Sequence, residues 1–349
     1  MTEAAIAFEK AIDINPNYET TYLWYAFALR RLTYDYEKAL TILEKALRLN
    51  PLSPAIIQNM GNLYSLRGEF DQALIVYKKG ISIEPRNSFF WEGISSDFYQ
   101  QGQIDSSAIY AYKGILINGF HQRFLNNYLQ CLNYLGLISE MKTLLRDLKP
   151  QNNLDSLIMV TQLREVAIFE KDFEWTLRLT DQMKDFGNSQ NELSSIRRYY
   201  SSLDEFILHI YNRDYYRAVE IFENHYPNIN KVEQNNFNAM VFPEYIFSLE
   251  KLGQHEKANQ LWENYRPYFP KNDFFEARNA LLVERPEVAH GKFKKFLEGN
   301  TTPPLQYFEN NPMFDEVRSQ PGFQELIKDY QKKIKKYRDS FLNYKEKNL

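Results

Sequence analysis

Cysteine, histidine clusters and catalytic motifs are what this sequence most lacks. Cys131 is the only cysteine among 349 residues, so neither an intrachain disulfide nor a multi-cysteine metal site can form. The five histidines are widely spaced, and no HxxxH or HExxH pair occurs. The phosphate loops GxGxxG and GxxxxGK[ST] and the GxSxG nucleophile elbow are also missing. We therefore expect a chain that is not an enzyme, holds no metal and needs no cofactor.

Long apolar runs, glycine, proline and excess charge are scarce as well. No apolar run reaches the roughly 18 residues of a membrane helix, so we expect no membrane insertion of this chain. Thirteen glycines and fourteen prolines are too few for a β-rich or loop-rich architecture. The net charge of -3 is too near neutral to indicate direct nucleic-acid binding.

What the sequence does contain is a repeating unit of about 34 residues. The clearest copy runs from Pro54 to Arg86, and its characteristic positions are Ile57, Met60, Gly61, Tyr64, Gly68, Phe70, Ala73, Tyr77, Gly80 and Pro85. The position of Ala73 recurs as Ala4, Ala39, Ala73, Ser107, Met141, Thr176, Ala218 and Ala258. The intervals of 35, 34, 34, 34, 35, 42 and 40 residues predict a repeated structural unit with longer copies toward the C-terminus.

This unit resembles the tetratricopeptide repeat, a pair of antiparallel helices. The resemblance implies an all-α, right-handed α-solenoid of about seven to eight helix pairs, closed by a C-terminal capping helix. Small residues such as Gly61 and Ala73 would let the two helices of a pair approach closely where they cross. Gly68 would end the first helix in the left-handed conformation, and Pro85 would end the second.

The repeats predict four segments along the chain. Residues 1–18 supply only the second helix of a repeat, 19–153 hold regular repeats, 154–300 hold degenerate or extended ones, and 301–349 form a closing segment. The half repeat is either a tolerated helical cap or the sign that this chain is part of a longer protein. In the last clear repeat, His255 replaces the aromatic residue found at Phe70, so we expect a half-buried core side chain.

The first helices of such repeats line a concave groove, which here would run from Leu23 to Tyr134. The predicted peptide groove consists of Trp24, Phe27, Arg30, Gln58, Asn59, Asn62, Phe89, Tyr99, Arg123, Asn126, Asn127 and Gln130. Side-chain amides offer donors and acceptors to the backbone of an extended peptide, arginine can pair with a carboxylate, and aromatic rings supply apolar pockets. Alternatively, the amides are simply tolerated on a solvated wall.

The closing segment has two Pro-x-Phe steps, at Pro312 to Phe314 and at Pro321 to Phe323. Each is typical of a helix start with an aromatic anchor. The segment is similar to the end of the tetratricopeptide regions of bacterial one-component transcription regulators and adenylate cyclases. That resemblance implies a regulatory or sensory module joined to a separate output domain. It also permits a periplasmic module of a membrane-anchored protein, although we expect a cytoplasmic one.

The last helix is amphipathic, with eight basic and three acidic side chains over residues 327–349. Its apolar stripe follows a heptad-like spacing and includes Ile327, Tyr330, Ile334, Tyr337 and Phe341. The stripe either packs on the last repeat as a cap, pairs with a second copy in a homodimer, or contacts an acidic partner.

The sequence thus favours a non-enzymatic module that binds a peptide or partner protein in its groove, within a larger bacterial signalling protein. One alternative is a scaffold that self-associates through its last helix. Another is a solenoid that senses a small molecule in an aromatic-lined pocket between Val160 and Tyr265.

Overall fold

The chain folds as an all-α helical repeat of the solenoid class. The structure, a computed structural model, describes residues 3–119, 122–148, 153–187, 205–226, 236–268, 273–282, 286–298 and 305–348. These ranges contain helices and turns but no strand. Among the helices described, none is long and apolar enough to cross a membrane.

Two compact units divide the chain. Compact unit 1 comprises Met1–Cys131 together with Ser340–Leu349, and compact unit 2 comprises Leu132–Asp339. Compact unit 1 contains α1 (Glu3–Ile14), α2 (Glu19–Ala28), α3 (Tyr36–Leu49), α4 (Pro54–Leu66), α5 (Phe70–Ile83), α6 (Ser88–Gln100), α7 (Ile104–Asn118) and most of α8 (Gln122–Tyr134). The half repeat predicted at the N-terminus is therefore a single helix, α1.

Compact unit 2 continues the helix pairs and holds the closing segment. Its helices are α9 (Ile138–Asp147), α10 (Asn153–Phe169), α11 (Phe173–Gly187), α12 (205–211), α13 (Tyr215–His225), α14 (Asn236–Lys251), α15 (His255–Tyr265), α16 (Asp273–Leu282), α17 (Pro286–Glu298), α18 (Leu305–Asn310), α19 (Asp315–Arg318) and most of α20 (Pro321–Glu346). A 3-10 turn begins at Pro312 and α20 begins at Pro321, so both predicted Pro-x-Phe helix starts are confirmed.

Left-handed residues mark the turn between the two helices of each repeat. Such residues are Tyr34, Gly68, Gly102, Gly136, Lys171, Arg213 and Gly253, with φ between 55° and 74°. Their intervals follow those of the Ala73 position, including the two longer copies. The predicted role of Gly68 is confirmed, and three repeats hold the same turn without glycine.

The Ala73 position is equally regular in its burial. Ala39, Ala73, Ser107, Met141, Thr176, Ala218 and Ala258 are each at most 1% exposed, whereas Ala4 in the half repeat is half-buried. Because the helices of a pair cross at this position, the side chain has no space to reach solvent. The predicted register therefore extends through the degenerate repeats, including those recognisable mainly by their second helices.

The left-handed turn at Lys171 offers a test of this register. Replacing Lys171, which has a φ of 58°, by glycine is expected to raise the free energy of unfolding by roughly 1 kcal/mol, because glycine has no Cβ to disfavour that conformation. Denaturant titration followed by circular dichroism measures the change. Lys335→Gly, at an exposed site within α20, is the control and should lower stability by about 1 kcal/mol. A loss of stability in both variants would contradict this register.

Glycines in the second helices make room for phenylalanines in the helices that follow. A Cβ built on Gly80 would lie 2.4 Å from the Phe90 ring, and one on Gly114 would lie 2.4 Å from the Phe124 ring. Both rings are fully buried. The two pairs are related by 34 residues, so one packing motif joins the third repeat to the fourth and the fourth to the fifth.

The second repeat contains one extra residue, which the structure accommodates in a π-helical turn. Ala26 stands thirteen residues before Ala39, whereas Gly61 stands twelve before Ala73. The additional residue falls in Leu29–Thr33, where the end of the first helix widens into π geometry. Single π turns within α-helices occur often at functional sites. Here the turn carries Arg30.

Candidate functional site

The first helices of compact unit 1 lie next to one another and form one face. Helix α2 contacts α4, and α4 contacts α6, in addition to the contacts of each with its own second helix. Side-chain caps fix where α4 and α6 begin, because Ser53 accepts a bond from the Ile56 amide (3.4 Å) and Asn87 accepts one from the Phe89 amide (3.2 Å). We call this face, formed by α2, α4 and α6, the first-helix face.

Aromatic side chains and an arginine are exposed at the α2 end of the first-helix face. Trp24 is 56% exposed and Phe27 is 39% exposed, and their ring centroids lie 5.7 Å apart in an edge-on arrangement. The guanidinium of Arg30 lies over the Phe27 ring, 5.3 Å from its centroid. The Nε of Arg30 is buried without a hydrogen-bond partner among the described residues. An anionic group bound here would satisfy this donor.

Two of the predicted groove amides on α4 already make hydrogen bonds within the chain. Asn62 Oδ1 accepts a hydrogen bond from the buried hydroxyl of Tyr77 (2.8 Å), and Asn59 Nδ2 donates to the carbonyl of Ala55 (2.9 Å). Gln58, Asn59 and Asn62 are all half-buried. The Tyr77 bond fixes the orientation of the Asn62 amide, so its NH2 group remains as a donor for a ligand carbonyl.

A polar network behind the first-helix face joins α4, α5 and α6. Ser65 Oγ donates to Asp97 Oδ2 (2.8 Å) and lies 3.3 Å from the Tyr77 hydroxyl. Asp97 is only 5% exposed. Burial, opposed by the Ser65 bond, raises the pKa of Asp97 to about 6, so at pH 7.5 the side chain is a carboxylate. Asp97 was not among the predicted site residues, because its position in the repeat is not on the predicted groove.

The remaining predicted groove residues lie on α6 and α8. Phe89 and Tyr99 on α6, and Asn126, Asn127 and Gln130 on α8, are half-buried. The side chain of Arg123 lies outside the described residues. Helix α8 packs on α7 within compact unit 1, where the Tyr112 and Tyr128 rings stack with centroids 6.0 Å apart. The structure therefore brings the α2, α4 and α6 residues to a common face, and whether the groove binds a peptide stays a prediction.

The apolar stripe of α20 packs inside the chain. In compact unit 1, Phe341 is fully buried between the rings of Tyr112 and Tyr128. In compact unit 2, the Tyr330 hydroxyl donates to the Tyr134 hydroxyl at 2.7 Å. Tyr330 and Ile334 are 2% and 5% exposed, while Ile327 and Tyr337 are half-buried. These partners on α7 and α8 belong to the fourth and fifth repeats, whereas the capping alternative placed the stripe on the last repeat, so that alternative and the homodimer both stay predictions.

Aromatic residues of compact unit 2 fill its core. The Phe222 and Tyr245 rings stack with centroids 4.2 Å apart, and those of Phe242 and Tyr265 stack at 3.8 Å. These rings therefore pack against one another, and the aromatic-lined pocket considered from the sequence stays a prediction. The expectation for His255 was wrong: its side chain is 67% exposed and its Nδ1 lies 2.5 Å from Glu250 Oε2.

No group of three metal-ligating side chains comes together in the ranges that the structure describes. A cavity of about 380 Å³ does occur in compact unit 2, between α14, the start of α15, the end of α16 and the closing segment. Its charged groups already have ionic partners, since Lys251 pairs with Glu316 at 2.7 Å and His255 lies against Glu250.

Comparisons with known proteins place a tetratricopeptide repeat in compact unit 1. Residues 33–89 match the family model of the tetratricopeptide repeat. No curated protein matches the chain.

Solved structures resemble the chain only distantly. YrrB, described as a tetratricopeptide-repeat protein with an unusual peptide-binding site, is 18% identical over 56% of this chain and 98% of its own, with a TM-score of 0.39. A tetratricopeptide repeat protein from Parabacteroides merdae is 16% identical over 89% and 97%, with a TM-score of 0.42. The pilF protein of Pseudomonas aeruginosa is 11% identical over 86% and 97%, with a TM-score of 0.29. All three TM-scores lie below 0.5, so none supports an inference about a site.

The family match covers the second helix of the second repeat and the whole of the third. The helix bounds, the left-handed turns and the buried positions equivalent to Ala73 keep the same spacing within this match and in the repeats that follow it. Residues 33–89 of this chain therefore match the tetratricopeptide repeat, within a longer series of helix pairs that keeps one register.

Proposed function

We propose that the chain is a protein-interaction module that binds an extended peptide of a partner protein on its first-helix face. The observation that carries the proposal is the exposed Trp24–Phe27 pair with Arg30 beside it. Exposed aromatic rings next to an arginine are the side chains that contribute most to protein interfaces. The role is non-catalytic, since the peptide is held and not altered.

The chemistry of the face indicates which peptides fit. Trp24 and Phe27 offer an apolar surface, and Arg30 and Arg31 place two positive charges at the same end. The buried Nε of Arg30 calls for an acceptor, which a carboxylate supplies with two oxygens. The amide of Asn62, oriented by Tyr77, donates to a backbone carbonyl farther along. The ligand is therefore a peptide with an acidic residue close to an apolar one.

A peptide array that varies charge and apolar content tests this proposal. Trp24→Ala is expected to weaken the best-binding peptides about tenfold or more, since truncating a central aromatic residue of an interface costs at least 1–2 kcal/mol. Arg30→Met is expected to abolish the preference for acidic peptides. Because Trp24 is 56% exposed, its replacement leaves the core intact.

Ile75→Ala is the matched control for the array. Ile75 is also large, apolar and 61% exposed, but it lies on the second helix α5. It should bind the same peptides as the wild type. Equal binding by the wild type and Trp24→Ala would remove the first-helix face from consideration, as would equal losses in Trp24→Ala and Ile75→Ala.

We also propose that this module is the regulatory part of a larger bacterial signalling protein. The support is the resemblance of the closing segment to that of bacterial regulators, together with the structure of that segment. Arg318 donates to the carbonyls of Phe308 (3.2 Å) and Asn311 (2.8 Å), which ties the 3-10 turn and α18 together. Sequencing the parent gene around this chain should reveal an output domain in the same reading frame, and a gene that encodes these repeats alone would contradict it.

A further inference from the structure

We propose that the cavity beside Asp97 in compact unit 1 is a binding site for a primary alkylammonium group. The cavity measures about 200 Å³ and is lined by Phe70, Asp71, Leu74, Ile94, Asp97, Phe98, Gln101 and Gln103. It lies between α5, α6 and the start of α7, and none of the peptide-groove residues lines it. The site is thus separate from the one proposed above.

Asp97 is a buried acid without a cationic partner. Its side chain is 5% exposed, and only one of its two oxygens, Oδ2, has a hydrogen-bond partner, which is Ser65. No basic side chain contributes to the shift of its pKa. A buried carboxylate usually pairs with a cation, because its desolvation otherwise destabilises the fold. Asp97 is one of the residues that line the cavity, so a cation bound there would supply the missing charge.

The other lining residues define what kind of cation fits. Phe70, Leu74 and Phe98 give the cavity apolar walls, which suit an alkyl chain. The faces of the two aromatic rings also attract a cation. Asp71 adds a second carboxylate at the exposed rim. The volume is below that of sites for drug-sized ligands, which begin near about 300 Å³. A short alkylammonium satisfies all three features, whereas a hydrated metal ion would leave the apolar walls unused.

Methyl resonances of Leu74 and Ile94 report directly on the cavity. At pH 7.5, titration with n-butylammonium chloride is expected to shift both, while the exposed Ile6 methyl groups stay unchanged. An equal concentration of 1-butanol, with sodium chloride added to match the ionic strength, should shift neither. An alkylammonium group is carried both by free amines and by the lysine side chains of proteins. Titration with Nα-acetyl-lysine methylamide distinguishes these two sources. Shifts of the methyl resonances show that a lysine side chain of a protein can enter, and their absence restricts the site to free amines.

Asp97→Asn is the decisive variant. Asparagine keeps the shape of the side chain and an oxygen for Ser65 but removes the charge, so half-saturation should require at least tenfold more butylammonium. Asp71→Asn, at the rim, should change it less than threefold. The proposal is overturned if butylammonium and butanol shift the methyl groups alike, if neither does, or if Asp97→Asn binds the amine as the wild type does. Unchanged circular dichroism of both variants excludes misfolding as the cause.

Discussion

Replacing Gly61 by alanine is expected to destabilise compact unit 1 by about 3 kcal/mol. A Cβ at this position would lie 2.3 Å from Cε1 of Tyr77, well inside van der Waals contact. The ring has little room to move, because Gly93 also lies against it: a Cβ built on Gly93 would lie 2.6 Å from Cζ of Tyr77. Tyr77 is 1% exposed and its hydroxyl is bonded to Asn62, so the added methyl group has to displace backbone.

Denaturant titration followed by circular dichroism and by tryptophan fluorescence measures the loss. Gly291→Ala is the control, because this glycine also lies within a helix but nothing stands within 4 Å of its Cβ position. That variant should gain roughly 0.5–1 kcal/mol from the better helix propensity of alanine. A similar gain in Gly61→Ala would show that the Tyr77 ring is not held in place.

A double-mutant cycle assigns the loss to the Tyr77 ring. Tyr77→Ala on its own removes a buried ring and costs about 3–5 kcal/mol. Because the truncated side chain no longer meets the Cβ of residue 61, the double variant should be more stable than the sum of the single losses predicts. Strict additivity would place the cause elsewhere.

The sequence predicted the repeat register well because the register depends on residue size and backbone conformation, which a repeated pattern displays directly. Glycine at Gly68, Gly102, Gly136 and Gly253 marked the turns, and the structure holds the same conformation at Lys171 and Arg213. Those two turns are imposed by the packing of the helices on either side, since neither residue prefers φ near 60°.

Contacts between repeats were harder to foresee than the repeats themselves. Gly61 and Ala73 were predicted to let the two helices approach closely, but the Tyr77 ring that lies against Gly61 was not foreseen. The Gly80–Phe90 and Gly114–Phe124 pairs were visible as a 34-residue recurrence, but only three-dimensional packing shows that each glycine accommodates the ring. Likewise, the sequence shows that the second repeat has one extra residue before Ala39, but it does not show that this residue is accommodated in a π turn.

The candidate sites were predictable only in part. Exposure of Trp24 and Phe27 agrees with their predicted positions on the first helix. The bond from Tyr77 to Asn62 depends on which rotamer a buried tyrosine adopts, which no periodicity reveals. Asp97 differs from other helical acids only by its surroundings, so the sequence could not distinguish it from a solvated one.

Removing the charge of Arg278 is expected to destabilise compact unit 2 by about 3–5 kcal/mol. Arg278 on α16 donates to Glu244 Oε1 on α14 at 2.6 Å, and the two side chains are only 5% and 9% exposed. Glu244 Oε2 has no hydrogen-bond partner among the described residues. In Arg278→Ala the carboxylate would therefore be buried without a counter-charge.

The pH dependence of the loss identifies Glu244 as its cause. Burial already raises the pKa of Glu244 against the opposing effect of Arg278, so the variant raises that pKa further. A group whose pKa is higher in the folded state stabilises the fold as the pH falls and the group takes up its proton. The penalty should thus be largest at pH 7.5 and smaller at pH 5, as measured by guanidinium unfolding.

Two further variants separate the buried pair from ordinary surface charge. Arg178→Ala breaks an ion pair with Glu174, four residues away on α11, where the two side chains are 60% and 84% exposed, so it should cost less than about 0.5 kcal/mol. Replacing both Glu244 and Arg278 by methionine removes the charges together and keeps the volume, so most of the lost stability should return. If Arg278→Ala costs no more than Arg178→Ala, or if the double variant is no better than the single one, Glu244 is not held as a charged partner.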